Sequence, residues 1–396
     1  MFNSKTILFF LLFFTSIGCN RKFVSVINSG HTQENFRTVI PFETKMGLII
    51  LQAKIKDESY RFIFDTGAPA CIISPEIMKE IGADIITSQK IYDVNNHYQI
   101  NEFTKVSSIE IGNTIFSDIG TMILDLKSIP TVKCLDADGL LGSNLFRHAT
   151  WYIDYERKEI VIANDLASLE KPLEGFSSVK FFEGFGGVPA IFTYLNGKKI
   201  LDTTIDFGYG GTVCLSEKVM KHVPDTKFWK GYGVAGIGLY GDEIPSETYK
   251  GDVDLFSLGN GLDFQQEKVH FDGERNNLVG SGIFKYYHVI LDWNNKKIQL
   301  KRNNISRTAE NDFGYSYGYN KEDGNVYVKN LYERSEASEK GIQLKDKIIS
   351  VNGENLEAIS EDEWCNFRSD KDQSAVRVLV IEREGERKEV ILGKSI

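Results

Sequence analysis

Two aspartates are set apart by the residues around them. Asp65 closes the apolar run Phe62-Ile63-Phe64 and is followed by Thr66 and Gly67, while Asp206 follows Thr204-Ile205 and is followed by Phe207 and Gly208. A carboxylate in this place leaves a buried strand where the chain must turn, and the glycine permits the turn. Taken singly, each aspartate reads as a turn residue that satisfies neighbouring N–H groups. Taken together they can do chemistry. Two carboxyls about 3 Å apart cannot both ionise near neutral pH, so they share one proton. The ionised member can take a proton from water while the other gives one to a carbonyl oxygen. Such a reaction needs no cofactor, no metal and no covalent intermediate.

What must bring these turns together is an internal repeat. Leu140-Leu-Gly-Ser-Asn-Leu-Phe146 and Leu278-Val-Gly-Ser-Gly-Ile-Phe284 correspond at an offset of 138 residues, which continues without gaps through Tyr152-Ile-Asp154 and Ile290-Leu-Asp292. The two aspartates lie 141 residues apart. Each is followed by a short apolar strand and a serine suited to N-cap a helix, Cys71-Ile-Ile-Ser74 and Val213-Cys-Leu-Ser216. Residues 46–303 read as short β runs separated by Gly, Asn and Asp, the pattern of an all-β unit. The expectation is two equivalent lobes about a pseudo-twofold axis, with Cys71 and Cys214 as core residues of equivalent strands.

Phe64-Asp65-Thr-Gly-Ala68 with the downstream Leu140-Leu-Gly142 resembles a retropepsin-type lobe, and the duplication makes residues 39–303 similar to a single-chain, two-lobed pepsin-like aspartyl protease. The resemblance implies a mainly β, acid-protease barrel fold, Asp65 and Asp206 as the catalytic pair, and Thr66, Gly67, Phe207 and Gly208 as the active-site turns. It also implies a flap hairpin within 90–103, with Tyr92 and Tyr98 as its candidates, and an equivalent region at 231–242. One departure from the family pattern is plain. Phe207 stands where a threonine or serine hydroxyl normally locks the two turns together, and a lost buried hydrogen bond costs about 1 kcal/mol. Asp202-Thr-Thr204 is a rival alignment, but it lacks the glycine. The competing class is a non-catalytic, peptide-binding lipoprotein that keeps the protease fold as a scaffold.

After the polar stretch 301–311 comes Glu336-Ala-Ser-Glu-Lys-Gly341-Ile-Gln-Leu-Lys-Asp346, followed by a strand and an Asn352-Gly353 turn. These residues resemble a PDZ domain, which implies an α+β fold. Phe313-Gly314-Tyr315 would be the loop that receives a peptide C-terminus, and the adjacent strand could pair with the peptide. Trp364 and Phe367 fit the long helix beside that groove.

The chain begins with Lys5 and the run Ile7–Phe14, too short to span a bilayer and suited to a signal peptide. It ends in Ser16-Ile-Gly-Cys19, similar to a bacterial lipobox, which implies acylation of Cys19 and a place on the cell envelope. The expected organisation is a signal peptide over 1–18, a lipidated tether over 19–38 and lobes over 39–172 and 173–303. A linker over 304–311 and a PDZ domain over 312–396 complete it.

Composition agrees with this division. A length of 396 residues suggests two or three domains, and 42% apolar with 26% charged residues is globular. The net charge of −9 is spread along the chain and argues against a nucleic-acid partner. The expected partners are a peptide or unfolded protein, a C-terminal peptide at the PDZ domain, and a membrane reached through the lipid, with the protein itself a monomer. Gly231-Tyr-Gly-Val-Ala-Gly236 matches a dinucleotide fingerprint, but no helix start follows it. The six histidines lack metal-ligand spacing, and no Gly-x-Ser-x-Gly elbow occurs. The pairing of Cys71, Cys134, Cys214 and Cys365 is left open.

Overall fold

The computed structural model describes residues 7–8, 20–93, 97–224, 228–234, 236–242, 244–273, 277–307, 312–369 and 375–393. It is mainly β, and its two halves repeat one topology. In the first half, strand Gly139–Leu141 lies between Glu58–Phe64, to which it is parallel, and Cys71–Ile73, to which it is antiparallel. In the second, Asn277–Gly280 lies in the same way between Lys198–Asp206 and Val213–Leu215. The next neighbours match too: Cys71–Ile73 runs parallel to Thr114–Ile123, and Val213–Leu215 runs parallel to Asp263–Phe271. The inserted strands are apolar runs buried on both faces and so carry no alternation. Each leads through a glycine into a short helix, Ser143–Phe146 or Ser281–Phe284.

The halves are joined by a six-stranded sheet ordered Ser177–Lys180, Lys297–Arg302, Tyr287–Asp292, Thr150–Asp154, Glu159–Ala163 and Arg37–Pro41. At its centre Tyr152 pairs antiparallel with Ile290. These residues are repeat equivalents at the 138-residue offset, and a residue can face its own equivalent only where a twofold axis passes between them. The axis read from the repeat is therefore a physical one. Around it one core runs through both lobes and includes Phe64, Phe146, Trp151, Phe207, Phe284 and Trp293.

The C-terminal domain has strands Tyr315–Asn320, Asn325–Tyr332, Lys347–Val351, Arg377–Arg383 and Glu386–Leu392, with helix Glu361–Ser369. It has its own core around Trp364, Ile348 and Leu379. Several connections tie it to the lobes, a shared sheet and a disulfide among them. Strand Asn325–Tyr332 pairs with Phe228–Gly233 of the second lobe, making one continuous sheet. Cys134 of the first lobe forms a disulfide with Cys365 on helix Glu361–Ser369. Lys133 and Glu361 add an ion pair of 2.6 Å beside it.

The stretch expected as a tether is ordered. Asn20 caps helix Arg21–Ile27, which buries Phe23, Val26 and Ile27, and strands His31–Thr32 and Arg37–Pro41 follow. Cys19 and most of the leader lie outside the described residues; Ile7–Leu8 pairs in parallel with Gly236–Ile237.

Candidate active site

Asp65 and Asp206 end their strands facing each other across the twofold axis, both fully buried. Their surroundings are reciprocal. Asp65 Oδ1 accepts the N–H groups of Gly67 (2.8 Å) and Ala68 (3.0 Å), and Asp206 Oδ1 accepts that of Gly208 (2.8 Å). A Cβ at Gly67 would lie 2.6 Å from the Asp206 carboxyl carbon, and one at Gly208 would lie 2.3 Å from that of Asp65. Each glycine is thus fixed by the other lobe's carboxylate, a constraint beyond the turn itself. Asp65 Oδ2 and Asp206 Oδ2 are buried with no protein donor. The two carboxyls lie close enough to act on each other, and burying both as anions is avoided only while one of them holds a proton.

The electrostatics follow from that geometry. Burial, then the charge of Asp206, pushes the Asp65 carboxyl well above its ordinary range. Burial raises Asp206 to about 6, opposed by the N–H of Gly208 and by the neighbouring Asp65 carboxyl. The pair titrates as a unit, and its single-proton form extends toward neutral pH.

Thr66 supplies a lock between the lobes. Its hydroxyl donates to Ile205 O (2.6 Å) and accepts the Phe207 N–H (3.1 Å). Phe207 has no hydroxyl to return these bonds. Its ring instead stacks on Phe284 (centroids 4.8 Å apart) and meets Phe64 edge-on at 5.6 Å, with no exposure to solvent. Beneath the turns, Ser143 Oγ donates to Thr66 O at 2.7 Å, and Ser281 Oγ donates to Gly47 O and Tyr209 O.

Strands Thr87–Tyr92 and Tyr98–Ile111 form a hairpin in which Tyr92 pairs with Tyr98. Its inner face carries Ile91, Asn101 and Phe103, all buried. Tyr98 lies on the opposite face, 56% exposed, with the Lys90 ammonium 3.5 Å from its ring centre. The alternation of the strand thus turns Tyr98, and Tyr92 opposite it, away from the dyad side. What crosses the cleft comes from the other lobe. The hairpin of Gly236–Gly238 and Gly241–Asp242 carries Leu239 into the apolar cluster of the first lobe. The Tyr240 N–H donates to Asp93 Oδ2 (3.1 Å), and its hydroxyl donates to Asn101 Oδ1 (2.5 Å).

In the C-terminal domain, Phe313 and Tyr315 are buried and Gly314 has φ +80°. The Gly314 N–H, expected to face a peptide carboxylate, donates to Asp312 Oδ1 at 3.0 Å. Asp312 is held there by Lys250 of the second lobe. Burial raises the Asp312 carboxyl, but the Lys250 ammonium and the Gly314 N–H outweigh it and bring it to about 2. Tyr317, Tyr319, Trp364 and Phe367 pack their rings between strand Tyr315–Asn320 and helix Glu361–Ser369. Elsewhere, His288 sits between Glu156 (3.1 Å from Nε2) and Asp154 (3.6 Å from Nδ1).

Comparison with known proteins finds two family models in the chain. Residues 51–145 match the aspartyl protease family model, and residues 298–381 match that of the PDZ domain. The chain carries a retropepsin-like aspartyl protease domain and a C-terminal PDZ domain and is mainly β. Among solved structures it is similar to basic 7S globulin from soybean, at 9% identity and a TM-score of 0.40, over 69% of this chain and 100% of that one. No curated protein matches the chain.

Proposed function

We propose that this protein is an aspartic-type endopeptidase, anchored to the bacterial cell envelope through Cys19, that hydrolyses peptide bonds with Asp65 and Asp206. The observation that carries this reading is the reciprocal dyad: two buried carboxyls, each with one oxygen held by backbone N–H groups and the other free of protein donors. In the single-proton state the ionised carboxyl takes a proton from a water as that water adds to the scissile carbonyl carbon. The protonated carboxyl gives its proton to the carbonyl oxygen. The resulting gem-diol collapses as one hydroxyl proton returns to a carboxylate and the amine nitrogen accepts a proton, breaking the C–N bond. Residues Phe207 and Thr66 position the dyad without touching substrate.

The PDZ domain supports recognition of a peptide, by addition to strand Tyr315–Asn320. Among the described residues that strand pairs on one edge only, with Asn325–Tyr332. The deciding experiment incubates purified protein with an unfolded protein substrate, with and without a statine-type inhibitor, beside Asp65→Asn. Cleavage that is abolished by the inhibitor and by the substitution is expected. Cleavage persisting in Asp65→Asn would remove the dyad from the mechanism, and no cleavage by the unaltered protein would favour a peptide-binding scaffold.

A further inference from the structure

The ordered start of the chain bears on where the protease body sits, given the reading of Cys19 as an acylated anchor. Asn20, the next residue, is already fixed. Its side chain accepts the N–H groups of Lys22 and Phe23 and donates to Thr87 Oγ1 at 2.9 Å. Three residues on, Phe23 is buried edge-on against Phe103 (5.0 Å) and stacked on Phe185 (5.6 Å). Further along, Val26 presses so closely on Gly120 that a Cβ there would fall 1.9 Å from the Val26 carbonyl oxygen. One residue spans at most about 3.6 Å. An acylated Cys19 therefore leaves the folded body no slack.

Exposed apolar side chains lie near that attachment point. Ile85 is 51% exposed and Ile86 38%, and they immediately precede Thr87, the partner of Asn20. Phe185, 36% exposed, comes from a distant part of the chain and lies on Phe23. Arg21 and Lys22 are exposed beside them, and the first turn of the helix holds no acidic residue. Large apolar side chains with flanking cations at a lipid attachment point match the boundary between acyl chains and anionic headgroups.

We propose that the face formed by Ile85, Ile86 and Phe185 around the N-terminal helix seats on the bilayer that carries the Cys19 anchor. The protease is thereby held flush with the membrane and acts on chain segments close to its surface. The same contacts join the anchor to the flap, since Thr87 begins one flap strand and Phe103 lies in the other.

The test uses the full acylated protein in vesicles of phosphatidylethanolamine and phosphatidylglycerol, with a spin label at Ile85→Cys and, as reference, at the exposed Val376→Cys. The mass of the N-terminal peptide reports acylation independently. The proposal expects acylated Cys19, with the label at 85 more accessible to oxygen than to an aqueous nickel chelate and the label at 376 showing the reverse. Ile86→Cys provides a second site if Ile85→Cys does not fold. Acylated protein with a water-exposed label at 85 would overturn the seating while leaving the anchor intact. An unacylated Cys19 would overturn both, and the mass tells the cases apart. Inserting ten Gly/Ser residues after Cys19 restores slack. It should lower cleavage of a vesicle-tethered peptide with a membrane-proximal scissile bond by at least about tenfold, with cleavage of the same peptide in solution unchanged. An unchanged rate on the tethered peptide would count against the proposal.

Discussion

The two Asp-x-Gly turns share a backbone and differ in how they are held. In Asp65-Thr66-Gly67 the residue after the aspartate is a hydrogen-bonding clasp on the other lobe, through Ile205 O and the Phe207 N–H. In Asp206-Phe207-Gly208 the same position is a packing piece, its ring set between Phe284 and Phe64. The aspartates and glycines are matched because each glycine makes room for the opposite carboxylate. The hydroxyl is not matched, because lobes joined by one chain and a six-stranded sheet need no second clasp to stay together. Chemistry therefore constrains both halves alike, while cohesion can be met differently in each.

The largest effect should come from removing either carboxyl. Asp65→Asn and Asp206→Asn should each lower kcat/KM by about 10³-fold or more, since each removes one of the two proton-transfer groups. Equal losses would confirm chemical equivalence under the unequal clasps. A loss of less than about tenfold in Asp206→Asn alone would mean that the Phe207 turn does not serve the reaction.

Much of this comparison was legible before the structure. The strand-turn residues of Asp65 and Asp206 and the 138-residue repeat both lie in local sequence, and they led to the twofold axis now seen at Tyr152 and Ile290. Other features were not legible, for identifiable reasons. The disulfide joins residues 231 positions apart, and the repeat that places Cys71 and Cys214 in equivalent strands carries no sign that Cys134 pairs with Cys365. The outward face of Tyr98 depends on strand register, which a single residue's shift would reverse. The Tyr240 contact with Asp93 and Asn101 depends on how the lobes approach, which no motif records. The N-terminal helix did leave a signal: an Asn cap before Phe23, Val26 and Ile27, spaced i, i+3, i+4. The expectation of a tether over 19–38 passes over that signal.

The next effects concern the clasps themselves. Thr66→Val removes both inter-lobe bonds and strands a buried N–H and a buried C=O, for about 2–4 kcal/mol in urea unfolding. Phe207→Thr regains a hydroxyl worth about 1 kcal/mol but empties an aromatic site whose loss costs about 3–5. The net destabilisation is about 2–4 kcal/mol. Similar costs by different routes would show that the ring has replaced the hydroxyl. A stabilised Phe207→Thr would show that the second turn lacks a needed clasp.

The dyad also sets a pH dependence. Both folded carboxyls titrate above the unfolded value near 4, with Asp206 at about 6. Between about pH 4 and those folded values the native state holds more protons than the unfolded one, so stability falls as pH rises through that window. For Asp206 alone the loss is on the order of 2–3 kcal/mol by pH 7. Asp206→Asn should therefore gain on the unaltered protein between pH 4 and 7 in thermal unfolding, even as it loses activity. A constant difference across that range would mean the carboxyl is not desolvated as the fold implies. The acid limb of kcat/KM should correspondingly lie near pH 6, where the pair takes up its second proton.

The smallest effect tests the asymmetry at the cleft mouth, where the second lobe's hairpin reaches into the first and the first lobe's tyrosines point away. Leu239 fills an apolar cluster that also includes Ala68, next to the dyad turn, and Ile91 and Phe103 of the flap. Tyr240 holds it there by its hydroxyl to Asn101. A substrate that uses this space must first displace the hairpin, so the closed state subtracts from apparent affinity. Tyr240→Phe deletes one hydrogen bond worth about 1 kcal/mol and keeps the ring. It should lower KM by about two- to fivefold with kcat nearly unchanged. A raised KM would instead assign Tyr240 to the substrate-binding surface and make the hairpin a true second flap.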